Sequence, residues 1–233
     1  MDKMKIGIMQ PYFFPYIGYF QLINAVDKFI FYDDLNFIKN GWINRNRILL
    51  KDNTHFLTIQ LKGASSFKLI KEVEFSDNRL KLLKTLDQAY KRAPYFKEIM
   101  PLIHECLLEN TSKICDQAIV SVIKTCKYLK LKTSFELSSV SYPESKGFEK
   151  ADRLKYICKS NNSLTYVNPI GGVDLYTKDV FLKDGINLFF LQSNQFNYKQ
   201  FNNEFVPWLS IIDVLMFNSK EQIGVMLNKY ELI

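Results

Sequence analysis

Histidine is nearly missing from this sequence, and cysteine is scattered. The histidines are His55 and His104, and Cys106, Cys115, Cys126 and Cys158 stand apart without a Cys-x-x-Cys pair. Zinc centres need clustered Cys and His ligands, so the spacing argues against one. Three of the four cysteines fall at apolar positions of helical patterns, and all read as reduced, buried thiols of a cytoplasmic protein. His55 opens an apolar run with no metal partner in view and reads as a solvated or hydrogen-bonded histidine. No uninterrupted apolar stretch is long enough to span a bilayer. The first apolar stretch is broken by Pro11 and Pro15 and lacks a small-residue cleavage site, so no secretory signal is read there. Walker and dinucleotide glycine fingerprints, internal repeats and low-complexity segments are missing too.

What is present describes a globular chain. Its 233 residues, 47% of them hydrophobic, suffice for one large domain or one domain with a helical subdomain. The 19 Phe and 13 Tyr suit clefts that stack on flat ligands, although many of them fill the core. A formal charge of +7 favours anionic partners such as nucleotides, nucleotide-sugars, nucleic acid or acidic lipid headgroups. With no nucleic-acid recognition motif, nucleic acid is not the expected partner.

The stretch from Lys5 to Ile23 predicts strand, irregular loop and helix. Ile6, Ile8 and Met9 leave little polar face, Gln10-Pro11 ends the strand, and Gly18 opens a helix with Phe20, Leu22 and Ile23 as its apolar positions. A loop running into a helix N-terminus binds nucleotides and phosphates in many α/β proteins; a packed connection that binds nothing is the alternative. Lys28 to Tyr32 predicts a second strand ending in Asp33-Asp34. Two carboxylates at a strand's carboxyl end can hold Mg²⁺, orient a ribose or act as a general base, or simply start a turn or a cap. In the run that follows, Trp42 can stack on a base or sugar, and Arg45 and Arg47 share a side if extended and can clamp an anion. Asn44 and Asn46 are poor strand formers, which points to a role beyond propensity.

His55–Leu61 and Lys71–Phe75 predict a strand pair. Helical spacing follows from Asp77, a candidate N-cap, through Leu80, Leu83, Leu86 and Tyr90 to Pro94, with two more helices beyond, which predicts a helical insertion at about residues 77–132. Alternation then resumes, with strands at 134–140, 163–167 and 186–192 and helices between. The whole predicts an α/β fold with a mainly parallel open sheet of nucleotide-binding type, Rossmann-like or HUP-like. Lys150 at a helix start and the loop Asn168 to Gly172 are weaker anion-binding candidates. Asp213 interrupts an apolar pattern, which is expensive unless it pairs or faces a site.

Together these residues resemble the WbqC-like family of bacterial proteins. The matching blocks are Gln10-Pro11-x-x-x-Pro15-Tyr16-x-Gly18-Tyr19-Phe20, Asp33-Asp34 with Phe37, and Trp42-x-Asn44-Arg45-Asn46-Arg47; Tyr90 with Pro94-Tyr95-Phe96 and Phe205-x-Pro207-x-Leu209-Ser210-x-x-Asp213 complete them. The resemblance implies a role in surface polysaccharide and O-antigen synthesis on a nucleotide-activated sugar. A looser similarity links Tyr16-Ile17-Gly18-Tyr19 to the His-x-Gly-His motif of nucleotidyltransferases and pantothenate synthetases, which opens the first helix and stabilises charge on ATP phosphates. Tyrosines carry no positive charge at neutral pH, so that role would fall to Arg45, Arg47 or Lys150. The resulting expectation is a cytoplasmic enzyme that transfers an acyl or aminoacyl group to a nucleotide-linked amino sugar, with ATP and Mg²⁺ as candidate cofactors. Asp33, Asp34, Arg45 and Arg47 are its catalytic candidates. Gln10, Tyr16, Gly18, Tyr19 and Lys150 are candidates for the cofactor, and Trp42, Asn44, Asn46, Tyr90 and Asp213 for the substrate; no residue is assigned as a dedicated metal ligand. The alternative is a non-catalytic protein that binds the nucleotide-sugar or assembles pathway enzymes.

Overall fold

The computed structural model describes residues 4–148, 150–201 and 204–233. Its elements begin with β1 (Lys5–Met9), α1 (Ile17–Asn24) and β2 (Lys28–Phe31), followed by β3 (Arg45–Leu50), β4 (Asn53–Thr58), β5 (Leu61–Lys62) and β6 (Glu74–Phe75). Helices α2 (Arg79–Tyr90), α3 (Phe96–Leu107) and α4 (Ile114–Tyr128) come next, then β7 (Ser134–Leu137) and, directly after it, α5 (Ser138–Ser141). The remainder is α6 (Lys150–Ser160), β8 (Thr165–Pro169), α7 (Lys178–Leu182), β9 (Asn187–Ser193), α8 (Ile211–Phe217), α9 (Lys220–Met226) and β10 (Tyr230–Leu232).

Six strands form one sheet in the order β10-β9-β8-β1-β2-β7, with every neighbouring pair parallel except β9 and β10. The expected α/β class and mainly parallel sheet are borne out. The alternation of side chains explains the layering. Ile6, Ile8, Ile30, Tyr32 and Tyr166 enter one core with Leu154, Ile157 and Phe181 from α6 and α7. Phe29, Phe31 and Val167 point the other way, into the larger core with α1 and the helices of the 79–128 segment. Gly7 sits under α1, where a Cβ would meet Phe29 at 3.3 Å and Leu22 at 3.5 Å. Because β1, β2, β7, β8 and β9 run in one direction, their carboxyl ends share one edge of the sheet, the edge at which open α/β sheets collect ligands.

Between β2 and β7 the chain builds more than helices. Arg45–Leu50 pairs with Asn53–Thr58 as a hairpin, and Leu61-Lys62 pairs with Glu74-Phe75. The predicted pairing of His55–Leu61 with Lys71–Phe75 is therefore corrected: Leu61 and the following Lys62 pair with Phe75 and Glu74, while His55 stands opposite Ile48. The cause is local. Lys51 and Asp52 both adopt left-handed φ, +49° and +67°, the two-residue turn whose twist matches a tight hairpin and ties β4 to β3. A second correction falls at Ser138–Val140, predicted as strand and found in α5. Asp33 lies at that helix start and accepts from the Ser139 N–H at 2.9 Å, which supplies a partner the sequence pattern could not reveal. By position the N-cap of α2 is Asn78, which makes no side-chain cap bond, while Asp77 before it accepts the Arg79 N–H at 3.3 Å and pairs with the Arg79 guanidinium.

Candidate functional site

The loop after β1 is held from several sides. Phe14 carries a left-handed φ of +38°, uncommon for a bulky residue, and the surroundings fix it there. Its N–H donates to Ser121 Oγ at 3.0 Å, and its carbonyl accepts from Ser210 Oγ at 2.7 Å and Asn46 Nδ2 at 2.9 Å. The Phe13 N–H donates to the Trp42 carbonyl at 3.0 Å. Asn46 is thus a buried brace in β3, which accounts for an amide where strand propensity disfavours one. Gly18 serves the same loop. A Cβ there would lie 2.4 Å from the Tyr16 ring, so the glycine makes room for that ring over the first turn of α1. Tyr19 is buried, and its hydroxyl donates to the Gln10 carbonyl at 2.9 Å, so it faces the fold.

Tyr16 walls two adjoining cavities. The larger, about 430 Å³, lies between the opening loop and the segment that leaves β9; the smaller, about 210 Å³, lies against Trp42, Asn46 and Arg47. Trp208 is the other shared wall, with its ring centroid 6.3 Å from that of Tyr16. It is exposed and has a left-handed φ of +62°, a strained setting for a large side chain. Arg47 reaches across to it, donating from Nη2 to the Trp208 carbonyl at 2.9 Å while its guanidinium sits 5.6 Å from the Trp42 ring centre. Its Nε is buried without a partner.

Arg45 is placed differently. It donates from Nε to the Gly41 carbonyl at 3.2 Å and from Nη2 to the Asn40 carbonyl, and it stacks 4.6 Å over Phe56. It closes the turn at Asn40 and forms no clamp with Arg47. Asn44 likewise donates to the Ile59 carbonyl, at 2.9 Å.

At the ends of β2 and β7 lies a second polar group. Asp33 is buried and accepts from Ser139 N and Ser139 Oγ at 2.9 and 2.6 Å, with Ser138 Oγ 3.0 Å away. Asp34 accepts from Ser138 Oγ and from Arg153 Nη2, both at 2.6 Å. Arg153, from α6, also donates to Ser145 Oγ at 2.9 Å and lies 4.6 Å from the Tyr32 ring centre. Burial pushes the Asp34 carboxyl up, but the bonds from Arg153 and Ser138 outweigh that and hold it below the ordinary value. The Arg153 guanidinium bonded to Asp34 neutralises that carboxylate and would repel a second cation beside it, so this donor set does not fit Mg²⁺. Among the described residues no group of three or more His, Cys, Asp or Glu is arranged to hold a metal ion. Lys150 stands exposed at the first position of α6.

Tyr90 and Asp213, far apart in sequence, meet in the core. Asp213 is fully buried and accepts from Tyr90 Oη at 2.9 Å and from Tyr198 Oη and Gln200 Nε2, each at 2.7 Å. Tyr90 Oη in turn accepts the Leu49 N–H at 3.0 Å. Burial raises the Asp213 carboxyl above its ordinary range, against the opposing pull of its three donors. Tyr198 also lines the larger cavity, so this network backs one wall of the groove. The cysteines are buried, and burial pushes the Cys106 and Cys158 thiols up to about 12, which keeps them protonated and inert at neutral pH.

A model of the WbqC-like protein family matches residues 10–225, from the opening loop to α9. The chain belongs to the WbqC-like protein family. It is also 29% identical, over 221 residues, to the uncharacterized protein Rv1507c of Mycobacterium tuberculosis (strain ATCC 25618 / H37Rv), a match covering 92% of this chain and 93% of that one. No solved structure matches it.

In this WbqC-like chain, Tyr16, Trp42, Asn46 and Arg47 converge on the groove, while Asp34 pairs with Arg153 and Asp33 with Ser139. Tyr90 and Asp213 lie behind the cavity wall. Sequence reasoning missed Trp208 as a wall, Arg153 as the partner of Asp34, and the amides Asn194, Gln195 and Asn197. The amides carried a usable signal, since they directly follow the carboxyl end of a parallel strand. Arg153 carried none, because its partner is 119 positions away.

Proposed function

We propose that this protein modifies a nucleotide-activated amino sugar in the cytoplasm during surface polysaccharide synthesis, O-antigen included, by transferring an acyl or aminoacyl group to the sugar's amine. The observation that carries the reading is the groove at the carboxyl edge of the sheet, where Tyr16 from the loop after β1 and the amide-rich segment after β9 share one cavity. Family membership and a net charge of +7 are consistent with an anionic, sugar-bearing ligand. In their own chain order the six sheet strands stand 3-2-1-4-5-6, the order of doubly wound nucleotide-binding sheets, which supports a Rossmann-like reading. ATP would serve as the activator if the transferred group passes through an adenylate.

One observation favours a second reading, a protein that binds the sugar nucleotide without turnover. Tyr19 stands where the His-x-Gly-His enzymes place a phosphate-facing histidine, yet its hydroxyl donates to the Gln10 carbonyl. Incubation with ATP, candidate amino acids, acyl thioesters and nucleotide-linked amino sugars separates the two. A product heavier by one acyl or aminoacyl group supports transfer. Ligand-induced thermal stabilisation with no product supports the second reading, and neither across the panel overturns both.

A further inference from the structure

The chain has two tryptophans, Trp42 and Trp208, and both wall the smaller compartment of the groove. Between them lies Arg47, whose Nε is buried and unmatched although guanidinium N–H groups are strong, charge-assisted donors. Arg47 is held in place by its bond to the Trp208 carbonyl and by the face of Trp42. Among the described residues that line either compartment there is no Asp or Glu to neutralise it. A preorganised cation on a cavity wall with no described acid beside it is the complement of an anion.

The larger compartment has different chemistry. Its described lining carries no charged side chain; it presents the amides of Asn194, Gln195 and Asn197 beside the rings of Phe196, Tyr198 and Phe205. Amides both donate and accept, and aromatic faces cover the apolar faces of saturated rings, so this set suits a neutral polyhydroxylated ring. We infer that the groove binds its ligand in one direction. The sugar ring lies in the larger compartment, the phosphate or pyrophosphate meets Arg47 in the smaller one, and the link between them passes Tyr16 and Trp208. The nucleoside, where the ligand has one, extends past the phosphate on the Trp42 side. This rests on the activated-sugar reading above and adds the ligand's polarity to it.

Tryptophan emission reports on the smaller compartment directly, because the sequence holds no third tryptophan. The test titrates the full chain with UDP-N-acetylglucosamine, UDP, N-acetylglucosamine 1-phosphate and N-acetylglucosamine, following emission and, for the uncharged sugar, ligand NMR. The variants are Arg47→Gln, Arg47→Lys and Asn197→Ala, each checked for folding by circular dichroism. The phosphate-bearing ligands are expected to change the emission and to bind about tenfold or more tighter than the free sugar. Arg47→Gln should remove that advantage, Arg47→Lys should restore part of it, and Asn197→Ala should weaken the sugar-bearing ligands while sparing UDP. Asn197 is exposed, so its variant tests the other end should Arg47→Gln fail to fold.

Undiminished phosphate affinity in Arg47→Gln overturns the proposal, as does equal weakening of UDP and sugar ligands by Asn197→Ala. Binding of the sugar 1-phosphate that depends on Arg47, with no binding of the sugar nucleotide, upholds the direction and sinks the nucleotide part of the function. Sugar-nucleotide binding indifferent to Arg47 does the reverse, and no binding by any of the four overturns both.

Discussion

Two polar groups stand at the carboxyl edge of the same sheet, and the fold treats them in opposite ways. Around Asp33 and Asp34 each carboxylate oxygen meets a donor, and the cation bonded to Asp34, Arg153, is paired, stacked and buried. Around Arg47 a cation lines a cavity with one N–H orphaned and a strained tryptophan for a neighbour. The first arrangement is complete without a ligand and reads as a joint between β2, β7 and α6. The second keeps its cation at a cavity wall, its guanidinium bonded among the described residues only to the Trp208 carbonyl. Adjacent carboxylates draw the eye in a sequence, yet here the unmatched arginine is the better marker of where chemistry is wanted.

The strongest way to break this comparison is to remove one partner of the closed group. Asp34→Ala leaves the buried Arg153 guanidinium uncompensated and should lower stability by about 3 kcal/mol, or roughly 9 °C in Tm for a chain of this size, with groove affinity unchanged. Urea denaturation beside the fluorescence titration checks both halves; lost ligand affinity in a folded Asp34→Ala protein would merge the two groups into one site.

The pH dependence has a defined sign. The folded-state pKa of Asp34 lies below the ordinary 3.8, so its stabilisation is fully present above that value and is lost as pH falls through the folded pKa. The gap between wild type and Asp34→Ala should therefore hold from neutrality down to about pH 5 and close at lower pH. Asp213, raised by burial, acts in the opposite sense: its ionisation weakens the fold as pH rises from 3.8 through its folded pKa.

Next in size is Tyr90→Phe, which deprives Asp213 of a donor and the Leu49 N–H of its acceptor, for an expected loss of about 2 kcal/mol in chemical denaturation. The smallest stability effect, within about 1 kcal/mol, belongs to Gly18→Ala. Alanine favours the helix, but its methyl must displace the Tyr16 ring. The informative readout is Trp208 emission, which should shift because its ring meets Tyr16; an unchanged spectrum and unchanged affinity would show that this glycine does not shape the groove.

How much of this was legible in the sequence follows from distance along the chain. The apolar runs at Ile6–Met9 and Phe29–Phe31 marked buried parallel strands because both faces are covered, and the later alternation of strand and helix marked the sheet. The opening loop, Trp42, Asn46 and Arg47 were singled out by residue type and do meet in space. What stayed hidden depended on partners far away: Arg47 meets Trp208 161 positions on, and Arg153 meets Asp34 119 positions back. The Lys51-Asp52 turn was hidden for another reason, since neither residue is the asparagine or glycine that usually announces left-handed φ.

The bracing of the opening loop also sets when it can form. Phe14 is secured by Ser210, 196 residues later, and Gln21 of α1 donates to the Met226 and Lys229 carbonyls at 2.8 and 3.0 Å. Chains emerge from the ribosome N-terminus first, and contacts of such long separation close late. The loop therefore settles only after segments about 200 residues later are in place, and a nascent chain halted before α8 would carry the loop sequence without its shape. The groove that Tyr16 walls is thus complete only once the chain has been made and folded through α9.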